Sequence, residues 1–571
     1  MWEEIKACLE QSELEKALSL ALQIPERKKD DEYYILEASI WEQAGGTEQM
    51  FSSIQKGLYK NPANYELFII LGQYYYAHNK KQAYLCMKQA ETYCRDKTDL
   101  AVIQDMMQEM FHEEDKVPEI SIVIVSYNAK EYLKNCLDSI RKNIPETTYE
   151  LIVVDNASTD GVREWLEEQQ DVKLIKNSEN KGFGYACNQG AEAATKGNDI
   201  YLLNNDTWVP KNAIWALQMG LYEKAEVGMT GSMTNYAGNG QLEAPDIATE
   251  DVAKEYAARL NVPSLHPYEY KIMLGGFSLL IKRKVWNQTK GFDPAYGRGY
   301  FEDDDLGMRV LKMGYKIVLC HNSFIVHYGS VSFRKEEDTI SLMVKNEKLF
   351  EKKWGIVKDY YTYVRQPIID MMTHSEAADI KVLEVGCGVG MTLSHIKYLY
   401  PNALVYGIEL NETAAEIGSN IVNVRSGNIE TMTLDFKEET FDYIIFADVL
   451  EHLHNPEEIL KKMRKYLTKD GCILASIPNL MHGDVITELL KGNFSYQDSG
   501  ILDRTHLRFF TRKEIIKMFD RCRYSIKYLG GIRVEPAKNL EMLKQLYQLP
   551  DVAGSEEFST YQYMVRAKRN E

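Results

Sequence analysis

The sequence predicts an all-helical region followed by two α/β domains, at residues 1–115, 119–355 and 365–571. A length of 571 residues leaves room for three or four domains. In the first region apolar residues recur at three- and four-residue spacing, as on helices that bury one face. In the other two regions short apolar, β-branched runs alternate with helical patterns, which favours mostly parallel sheets covered by helices.

Composition and charge restrict the class of protein. The chain is 45% hydrophobic and 26% charged, as in globular proteins, and its formal net charge of −17 argues against binding duplex nucleic acid. Nine cysteines without a C-x-x-C pair indicate a reduced compartment and no zinc cluster. No apolar run reaches the roughly 18 residues that span a bilayer, and the acidic stretch 1–5 does not resemble a signal peptide. We therefore expect a cytoplasmic protein with no membrane span and no nucleic-acid partner.

A period of 34 residues is visible in the helical region. A large, a small and an aromatic residue occur in one unit and again in the next, at Tyr34, Ala38 and Trp41 and at Phe68, Gly72 and Tyr75. This pattern resembles the tetratricopeptide repeat over two units, although the later half of the second unit departs from it. The resemblance implies a surface for a protein partner. A helical spacer packed on its neighbour is an equal alternative.

Polar side chains follow three predicted strands of the middle domain. The strand runs 120–126, 151–154 and 201–203 end in Ser126-Tyr127-Asn128, Asp155 and Asn204-Asn205-Asp206. Because open α/β sheets bind ligands at the carboxyl ends of their strands, we expect these side chains to line one crevice. Turn chemistry explains one such residue more readily than three that converge.

Four adjacent acids and one histidine add charge to the middle domain. The acids Glu302–Asp305 precede an apolar helix, and their mutual repulsion predicts raised pKa values unless a cation or solvent relieves it. Helix capping by negative charge is the alternative, but capping does not need four acids. His327 follows the strand run 324–326. Alone it is typical of a satisfied surface residue, whereas with a distant aspartate it can complete a divalent-metal site.

Residues 120–335 resemble a family 2 glycosyltransferase of the GT-A fold, especially its rhamnosyltransferase-like branch. The motifs that carry the resemblance are, in chain order, Ser126–Asn128, Val154–Gly161, Asn180–Gly184, Leu203–Thr207 and Glu302–Leu306. The resemblance implies that the nucleotide is bound by Asp155 at its base and by Ser126, Tyr127 and Asn205. It also implies that Asp206 and His327 bind a metal and that Asp303 is the catalytic base. The departure is Asn204, which leaves Asp206 as the only carboxylate of the D-x-D-like motif and puts strong metal affinity in doubt.

The chemistry implied by this resemblance is sugar transfer from a UDP- or dTDP-sugar to a glycan or glycoprotein acceptor. A bound Mn²⁺ or Mg²⁺ neutralises the charge that develops on the leaving diphosphate. A carboxylate such as Asp303 accepts the proton of the attacking hydroxyl, a role worth about 10²–10⁴-fold in rate. One base and no covalent intermediate imply inversion at the anomeric carbon.

A glycine-rich turn opens the last domain. Gly386, Gly388 and Gly390 follow a predicted strand, but Met391 breaks the dinucleotide pattern G-x-G-x-x-G. A tight strand–helix connection without a ligand is therefore one interpretation. The next strand ends in Glu409, 19 residues after Gly390, where an acid can bind a ribose diol.

Residues 375–570 resemble a class I S-adenosylmethionine-dependent methyltransferase. The motifs are Glu384–Gly390, Glu409, Gly427–Glu430 and Phe441–His452. The resemblance implies that S-adenosylmethionine is bound by Glu384, Gly386, Gly388, Gly390, Glu409, Asn428, Ile429 and Asp448. His452 or His506 is the candidate acceptor of a hydroxyl proton.

The last domain leaves one further assignment open. Asp448, Glu451, His452 and His506 also resemble the ligand set of metal-dependent methyltransferases. A helix-capping Glu–His pair is the favoured interpretation, because a helix is predicted to start after Asp448.

Together these features predict a bifunctional enzyme that transfers a sugar and methylates a sugar hydroxyl. Fusion raises the effective concentration of one site near the product of the other. Two alternatives remain: a glycosyltransferase whose methyltransferase-like domain only binds, and a repeat-based scaffold that recruits glycan enzymes.

Overall fold

The structure, a computed structural model, describes residues 2–144, 148–243, 250–329, 339–549 and 554–570. The chain divides into two compact units, Met1–Lys353 and Trp354–Glu571. No helix within these described ranges has the length and apolar character needed to cross a bilayer.

The first unit begins with seven helices, as the apolar spacing predicts. They are α1 (Trp2–Glu10), α2 (Leu14–Leu22), α3 (Asp31–Ala44), α4 (Thr47–Lys60), α5 (Tyr65–Tyr76), α6 (Lys80–Tyr93) and α7 (Lys97–Met110). Four of them start at an Asp or Asn whose side chain accepts a backbone N–H of the first turn, which satisfies an otherwise unpaired donor. Gly72 lets α5 approach α6, because a Cβ there would lie 2.9 Å from Met87 Sδ. The helical character is confirmed, and the assignment to the tetratricopeptide repeat stays a prediction.

An eight-stranded sheet follows in the same unit, with a separate two-stranded sheet beside it. The strands are β1 (Ile120–Ser126), β2 (Tyr149–Asp155), β3 (Val172–Lys176), β4 (Asp199–Asn204), β5 (Thr207–Trp208), β6 (Val227–Met233), β7 (Tyr268–Lys271), β8 (Ser278–Ile281), β9 (Lys316–Phe324) and β10 (Val326–His327). The helices are α8 (Lys130–Asn143), α9 (Val162–Glu167), α10 (Phe183–Ala193), α11 (Ala213–Leu221), α12 (Glu250–Leu260), α13 (Arg283–Thr289), α14 (Glu302–Lys312) and α15 (Thr339–Trp354).

The large sheet has the strand order β3-β2-β1-β4-β8-β6-β9-β7. Its first four strands are parallel, as predicted, so the ends of β1, β2 and β4 meet at one edge. The second half is mixed, because β8 runs antiparallel to both β4 and β6, and β7 runs antiparallel to β9.

Helix α6 packs against α11 and so joins the helical region to the sheet domain. Gln82 Nε2 donates to the carbonyl oxygen of Met219 at 2.9 Å, and the ring of Phe68 meets Trp215 edge-on with centroids 5.1 Å apart. Buried residues of both regions belong to one hydrophobic cluster. This packing favours the spacer interpretation for that face of the helices.

The second unit is built on a seven-stranded sheet. Its strands are β11 (Lys381–Val385), β12 (Leu404–Glu409), β13 (Asn423–Ser426), β14 (Phe441–Ala447), β15 (Leu467–Pro478), β16 (Tyr524–Arg533) and β17 (Thr560–Arg569). Its helices are α16 (Lys358–Thr362), α17 (Gln366–Ile369), α18 (Met391–Leu399), α19 (Glu412–Ser419), α20 (Pro456–Met463), α21 (Gly483–Leu490), α22 (Arg512–Arg521), α23 (Leu540–Leu546) and α24 (Ser555–Ser559). The order is β13-β12-β11-β14-β15-β17-β16, parallel except that β17 is antiparallel to both neighbours. The carboxyl ends of β11, β12 and β14 therefore lie side by side.

Candidate active sites

The first unit brings Asp206 and His327 together, as the sequence predicted. The short strand β10 pairs with β5, with His327 opposite Thr207, so the histidine is delivered next to the residue that precedes β5. His327 Nε2 lies 3.1 Å from Asp206 Oδ1, and both side chains are buried. The ring of Phe277 stacks on the imidazole with centroids 5.2 Å apart and 12° between planes, which fixes its orientation.

The tautomer of His327 suits a metal ligand. Its Nδ1 lies 2.8 Å from the carbonyl oxygen of Tyr236 and donates to it, so Nε2 is the nitrogen that faces Asp206 Oδ1, with a lone pair in the neutral ring or a proton in the charged one. Two acceptors at this distance require a shared proton or a cation, and one imidazole with one carboxylate suits Mn²⁺ as well as Mg²⁺. Asn204 Nδ2, 3.4 Å from Nε2, occupies the place where a second carboxylate of the motif would stand.

Asp155 is buried and ion-paired rather than open. Arg163 donates through Nε to Asp155 Oδ2 at 2.7 Å, and Ser158 N lies 3.2 Å from Oδ1. Arg163 also donates to the carbonyl oxygen of Asn177, so it ties β2 to the loop after β3. Sequence reasoning missed Arg163, since a single arginine in the first turn of a short helix is usually solvated. Base recognition by Asp155 stays a prediction. Arg163 is ion-paired with Asp155 and therefore lies at the same place in the site.

Other polar groups at the same edge are either tied together or left without a partner. Asn128 Oδ1 accepts from Thr159 N at 2.7 Å, which joins the loops after β1 and β2. Within the described ranges, the buried Ser126 Oγ and Asn205 Nδ2 have no hydrogen-bond partner. Unsatisfied buried donors are rare in native proteins, so these two atoms fit a site that a polar ligand completes. Tyr127 is half-buried beside them.

The four acids of α14 have separate environments. Burial, together with the neighbouring charge of Asp303, raises the pKa of Glu302 well above its usual range, so repulsion contributes but burial is the larger cause. Asp304 accepts from Asn239 Nδ2 at 3.0 Å, and Asp305 pairs with Arg309 and Lys353. Asp303 Oδ2 accepts from Gly276 N at 2.7 Å. Asp303 is half-buried whereas the other three acids are buried, so it is the most solvent-accessible acid of the four. The N-cap residue of α14 is Phe301, whose side chain makes no capping hydrogen bond, but Asp303 Oδ1 accepts from Asp304 N at 2.9 Å in the first turn.

A cavity of about 550 Å³ lies at the strand ends of the second unit. It is lined by the glycine turn after β11 and by the ends of β12 and β14. Predicted cofactor residues on its wall are Glu384, Gly386, Gly388, Glu409, Asn428, Ile429 and Asp448. Gly390 is buried and is not among the residues that line the cavity. Tyr360, Tyr361 and Tyr363 also line the cavity, and the sequence analysis missed them because they lie between the two predicted α/β domains.

The three glycines serve backbone packing. A Cβ at Gly388 would lie 2.8 Å from the carbonyl oxygen of Tyr361, one at Gly386 would lie 2.5 Å from Val449 Cγ2, and one at Gly390 would lie 2.6 Å from Val422 Cγ2. All three have positive φ, which glycine adopts without strain. The absence of a Cβ thus shapes the turn, and the wall of the cavity follows from that shape.

Glu409 is held in place by two backbone donors. Gly388 N donates to Oε2 and Asn411 N to Oε1, each at 2.8 Å. Each carboxylate oxygen keeps a lone pair for a further donor, which suits the predicted contact with a ribose diol. Asn428 Oδ1 accepts from Glu430 N at 2.9 Å, which leaves its amide N–H₂ to donate.

Glu384 and Asp448 differ in their partners. Burial raises the pKa of Glu384 to about 8, against the lowering effect of Arg365, and its Oε2 has no hydrogen-bond partner among the described residues. Asp448 pairs with Arg365 Nη1 at 2.6 Å, accepts from Ser476 Oγ at 2.8 Å and accepts from Gln562. Sequence reasoning missed Arg365, whose cation lies near both acids.

The favoured interpretation of Glu451 and His452 as a helix-capping pair is not supported. They belong to a three-residue 3₁₀ turn, Leu450–His452, whose N-cap makes no side-chain hydrogen bond. Instead the structure brings Glu451 and His452 together with the distant His506. Burial, together with the nearby His506, lowers the pKa of His452, and burial raises the pKa of Glu451 well above its usual range.

Comparison with known proteins agrees with this division. Residues 121–278 match the family model "Glycosyl transferase family 2", and residues 358–524 match the family model "Methyltransferase domain". The chain is 26% identical over 244 residues to Glycosyltransferase GlyG of Streptococcus pneumoniae, which covers 41% of this chain and 79% of that protein.

A second relative matches the last third of the chain. It is Malonyl-[acyl-carrier protein] O-methyltransferase of Bacillus cereus, 26% identical over 145 residues, or 23% of this chain. The chain spans about half (53%) of that relative's length. Among solved structures, GalNAc-T7 with UDP, GalNAc and Mn²⁺ is similar at 18% identity, with 46% of this chain and 52% of that chain covered and a TM-score of 0.35. The chain thus carries a glycosyltransferase domain and a methyltransferase domain.

Proposed function

We propose that the chain is a bifunctional transferase of glycan biosynthesis. Its glycosyltransferase domain moves a sugar from a nucleotide sugar, a UDP- or dTDP-sugar, to a glycan or glycoprotein acceptor. Its methyltransferase domain methylates a sugar hydroxyl with S-adenosylmethionine. The observation that carries the proposal is that each domain keeps a polar site at its strand ends: Asp206 with His327 in the first, and a lined cavity around Glu409 in the second.

In the sugar transfer, Asp206 and His327 would hold a divalent cation, and the bound cation would neutralise charge on the leaving diphosphate. Ser126 Oγ and Asn205 Nδ2, the buried groups without partners in the described part of the chain, bind the nucleotide part of the donor. Asp303 accepts the proton of the acceptor hydroxyl, because it is the most accessible acid of its cluster. The backbone N–H of Gly276 orients that carboxylate. One assigned base and no covalent intermediate imply inversion at the anomeric carbon.

In the methyl transfer, Glu409 binds the ribose hydroxyls and Asn428 with Ile429 flanks the adenine. Glu384 offers its unpaired oxygen to the positively charged end of the cofactor. His452 and His506 lie on the acceptor side and promote loss of the acceptor's hydroxyl proton, either as direct acceptors or through a cation that they hold. Oxygen as the acceptor atom is supported by the name of the methyltransferase relative.

The product analysis that tests this proposal uses the full chain with a panel of nucleotide sugars and acceptors. Mass spectrometry should show addition of one sugar mass, and of a further 14 Da only when S-adenosylmethionine is present, since one hydrogen is replaced by a methyl group. A product that gains the sugar but never the methyl group, although calorimetry shows cofactor binding, would favour the alternative of a non-catalytic methyltransferase-like domain. Absence of both reactions would favour the scaffold.

The cation's role in sugar transfer is tested separately. Excess chelator should stop glycosyl transfer, and Asp206→Ala or His327→Ala should raise the Mn²⁺ concentration that gives half-maximal rate by tenfold or more, because each removes one ligand. Asp304→Asn is a matched control. Asp304 Oδ1 accepts a hydrogen bond from Asn239 Nδ2, and the amide oxygen of the variant side chain can accept the same bond. Full activity in chelator would contradict a metal-dependent transfer.

A further inference from the structure

Glu451, His452 and His506 form a compact cluster in the second unit. One ligand atom from each lies within 4.8 Å of those of the other two. Backbone bonds hold the two segments together, because the carbonyl oxygen of Glu451 accepts from Leu507 N at 2.8 Å and from Arg508 N at 3.0 Å. The two imidazole centroids are 4.7 Å apart. The cluster is therefore built by the fold rather than by chance contact of exposed side chains.

The side chains of this cluster face one another with hydrogen-bond acceptors and offer one another no donor. His506 Nδ1 lies 3.0 Å from the carbonyl oxygen of Ile501, and His452 Nδ1 lies 3.2 Å from that of Thr505, so both rings donate through Nδ1 and keep a lone pair on Nε2. Glu451 is 1% exposed, and neither carboxylate oxygen has a hydrogen-bond partner in the described ranges. A buried carboxylate beside two imidazole lone pairs requires a proton or a cation in their midst.

We infer that Glu451, His452 and His506 bind a divalent transition-metal ion in the methyltransferase domain. Each Nδ1 donates to a backbone carbonyl oxygen, and such a contact fixes the orientation of a metal-binding histidine. Two nitrogens and one oxygen favour Mn²⁺, Co²⁺ or Zn²⁺ over Mg²⁺, which prefers oxygen ligands. Asp448 is not part of the set, because Arg365, Ser476 and Gln562 already hold its carboxylate.

The geometry leaves room for a substrate. Ligands about 2.1 Å from one ion lie roughly 3 to 3.5 Å apart. The three atoms lie within 4.8 Å of one another, so each pair must approach by at most about 1.8 Å to bind one ion. Three protein ligands leave at least one position open, as in catalytic sites. His452 and Thr505 line the cavity, so the open position adjoins it.

The ion's role in catalysis rests on the proposed methyl transfer. An acceptor hydroxyl bound at the open position loses its proton to solvent more readily, because the ion stabilises the alkoxide. Its oxygen then attacks the methyl carbon of S-adenosylmethionine. The new C–O bond forms as the C–S bond breaks, and that electron pair returns to sulfur, giving S-adenosylhomocysteine.

The binding test uses the full chain in an Asp206→Ala background, which weakens the metal site of the first unit. Metal-free protein is titrated with Co²⁺ alone, followed by calorimetry and by visible absorption of the bound ion. We expect one ion to bind, and Glu451→Gln and His506→Gln each to weaken its binding at least tenfold. His395→Gln, a histidine of α18 in the same domain, should leave Co²⁺ binding unchanged.

Two results would overturn the site. One is the absence of Co²⁺ binding to the Asp206→Ala protein, and the other is unchanged affinity in a Glu451→Gln protein with the parent's melting temperature. S-adenosylmethionine is titrated into the same samples. Cofactor binding without Co²⁺ binding rejects the metal site and spares the proposed function, whereas Co²⁺ binding without methyl transfer keeps the site and rejects methylation.

Discussion

The two domains differ in how completely their acids are held. In the first unit the acids with predicted roles are held by protein groups: Asp155 by Arg163, Asp206 by His327 and Asp303 by the backbone of Gly276. In the second unit Glu409 and Asp448 are held in the same way, by backbone donors and by Arg365. Glu384 and Glu451, however, are buried, and carboxylate oxygens of both lack a partner among the residues that the structure describes.

This difference separates a preorganised site from one that a ligand completes. Fixed partners hold a carboxylate in its working position before substrate arrives, which reduces reorganisation during the reaction. An unpaired buried carboxylate is costly, so it persists where a cation or donor arrives later. Glu302 shows that the division is not complete, because its Oε2 in the first unit is also unpaired among the described residues. Substitutions should therefore impair chemistry in the first domain and ligand binding in the second.

The largest effect is expected from Asp303→Asn. An amide keeps the shape and can still accept from Gly276 N, but it cannot accept the acceptor's proton. The turnover of glycosyl transfer should fall by about 10²–10⁴-fold. Nucleotide binding, measured by calorimetry, should stay near that of the wild type.

Asp304→Asn is the control for that variant, because Asp304 is buried and bound by Asn239. It should keep most of the activity. If Asp304→Asn is the inactive protein and Asp303→Asn turns over normally, the base has been assigned to the wrong acid.

A smaller effect is expected from Gly388→Ala. The added Cβ would lie 2.8 Å from the carbonyl oxygen of Tyr361, on the cavity wall, at a φ of 56° that costs an alanine roughly 1–2 kcal/mol. S-adenosylmethionine affinity should fall at least tenfold in calorimetry while glycosyl transfer continues. Gly388→Arg should abolish methylation for the same reason.

Gly492→Ala separates strain from contact. Gly492 has a φ of 86° with nothing within 4 Å of its ideal Cβ, so this variant bears similar strain away from the cavity. It should keep cofactor affinity. Equal loss in both variants would mean that backbone strain, not the Tyr361 contact, determines binding.

Local patterns were sufficient to predict much of both sites. Strand runs that end in polar residues placed Asp155, Asp206 and Glu409 at carboxyl edges, because parallel strands end together. The pairing of Asp206 with His327 followed from a motif resemblance, and the structure contains it at 3.1 Å.

What the sequence missed depends on distant partners. The mixed half of the first sheet arises because β8 inserts between β4 and β6, and no local pattern encodes strand order. Arg163 pairs with the buried Asp155 and Arg365 with the half-buried Asp448, and only the fold brings each pair together. Likewise, Glu451 and His452 looked like a local pair because their third member, His506, lies 54 residues further along the chain.

The smallest effect is expected from Glu384, because its ionisation should make the stability of the protein depend on pH. Burial raises its pKa to about 8, from an ordinary value of 4.5, while Arg365 opposes the shift and Glu409 adds to it. The stabilising effect of the protonated form is fully present below pH 4.5 and is lost as pH rises through 8.

The Glu384→Gln protein has no ionisable group at position 384, so its stability should not fall as pH rises through 8. Its melting temperature in calorimetry of the full chain should match the wild type near pH 5 and exceed it by about 3 °C or more at pH 9. Glu412→Gln, an exposed acid at the start of α19, should show no pH-dependent difference. Saturating S-adenosylmethionine should reduce the advantage of Glu384→Gln, because a cationic ligand beside Glu384 favours its ionised form. A Glu384→Gln protein whose melting temperature follows the wild type at every pH would show that Glu384 is already ionised in the empty cavity. The contrast between the two domains would then rest on Glu451 alone.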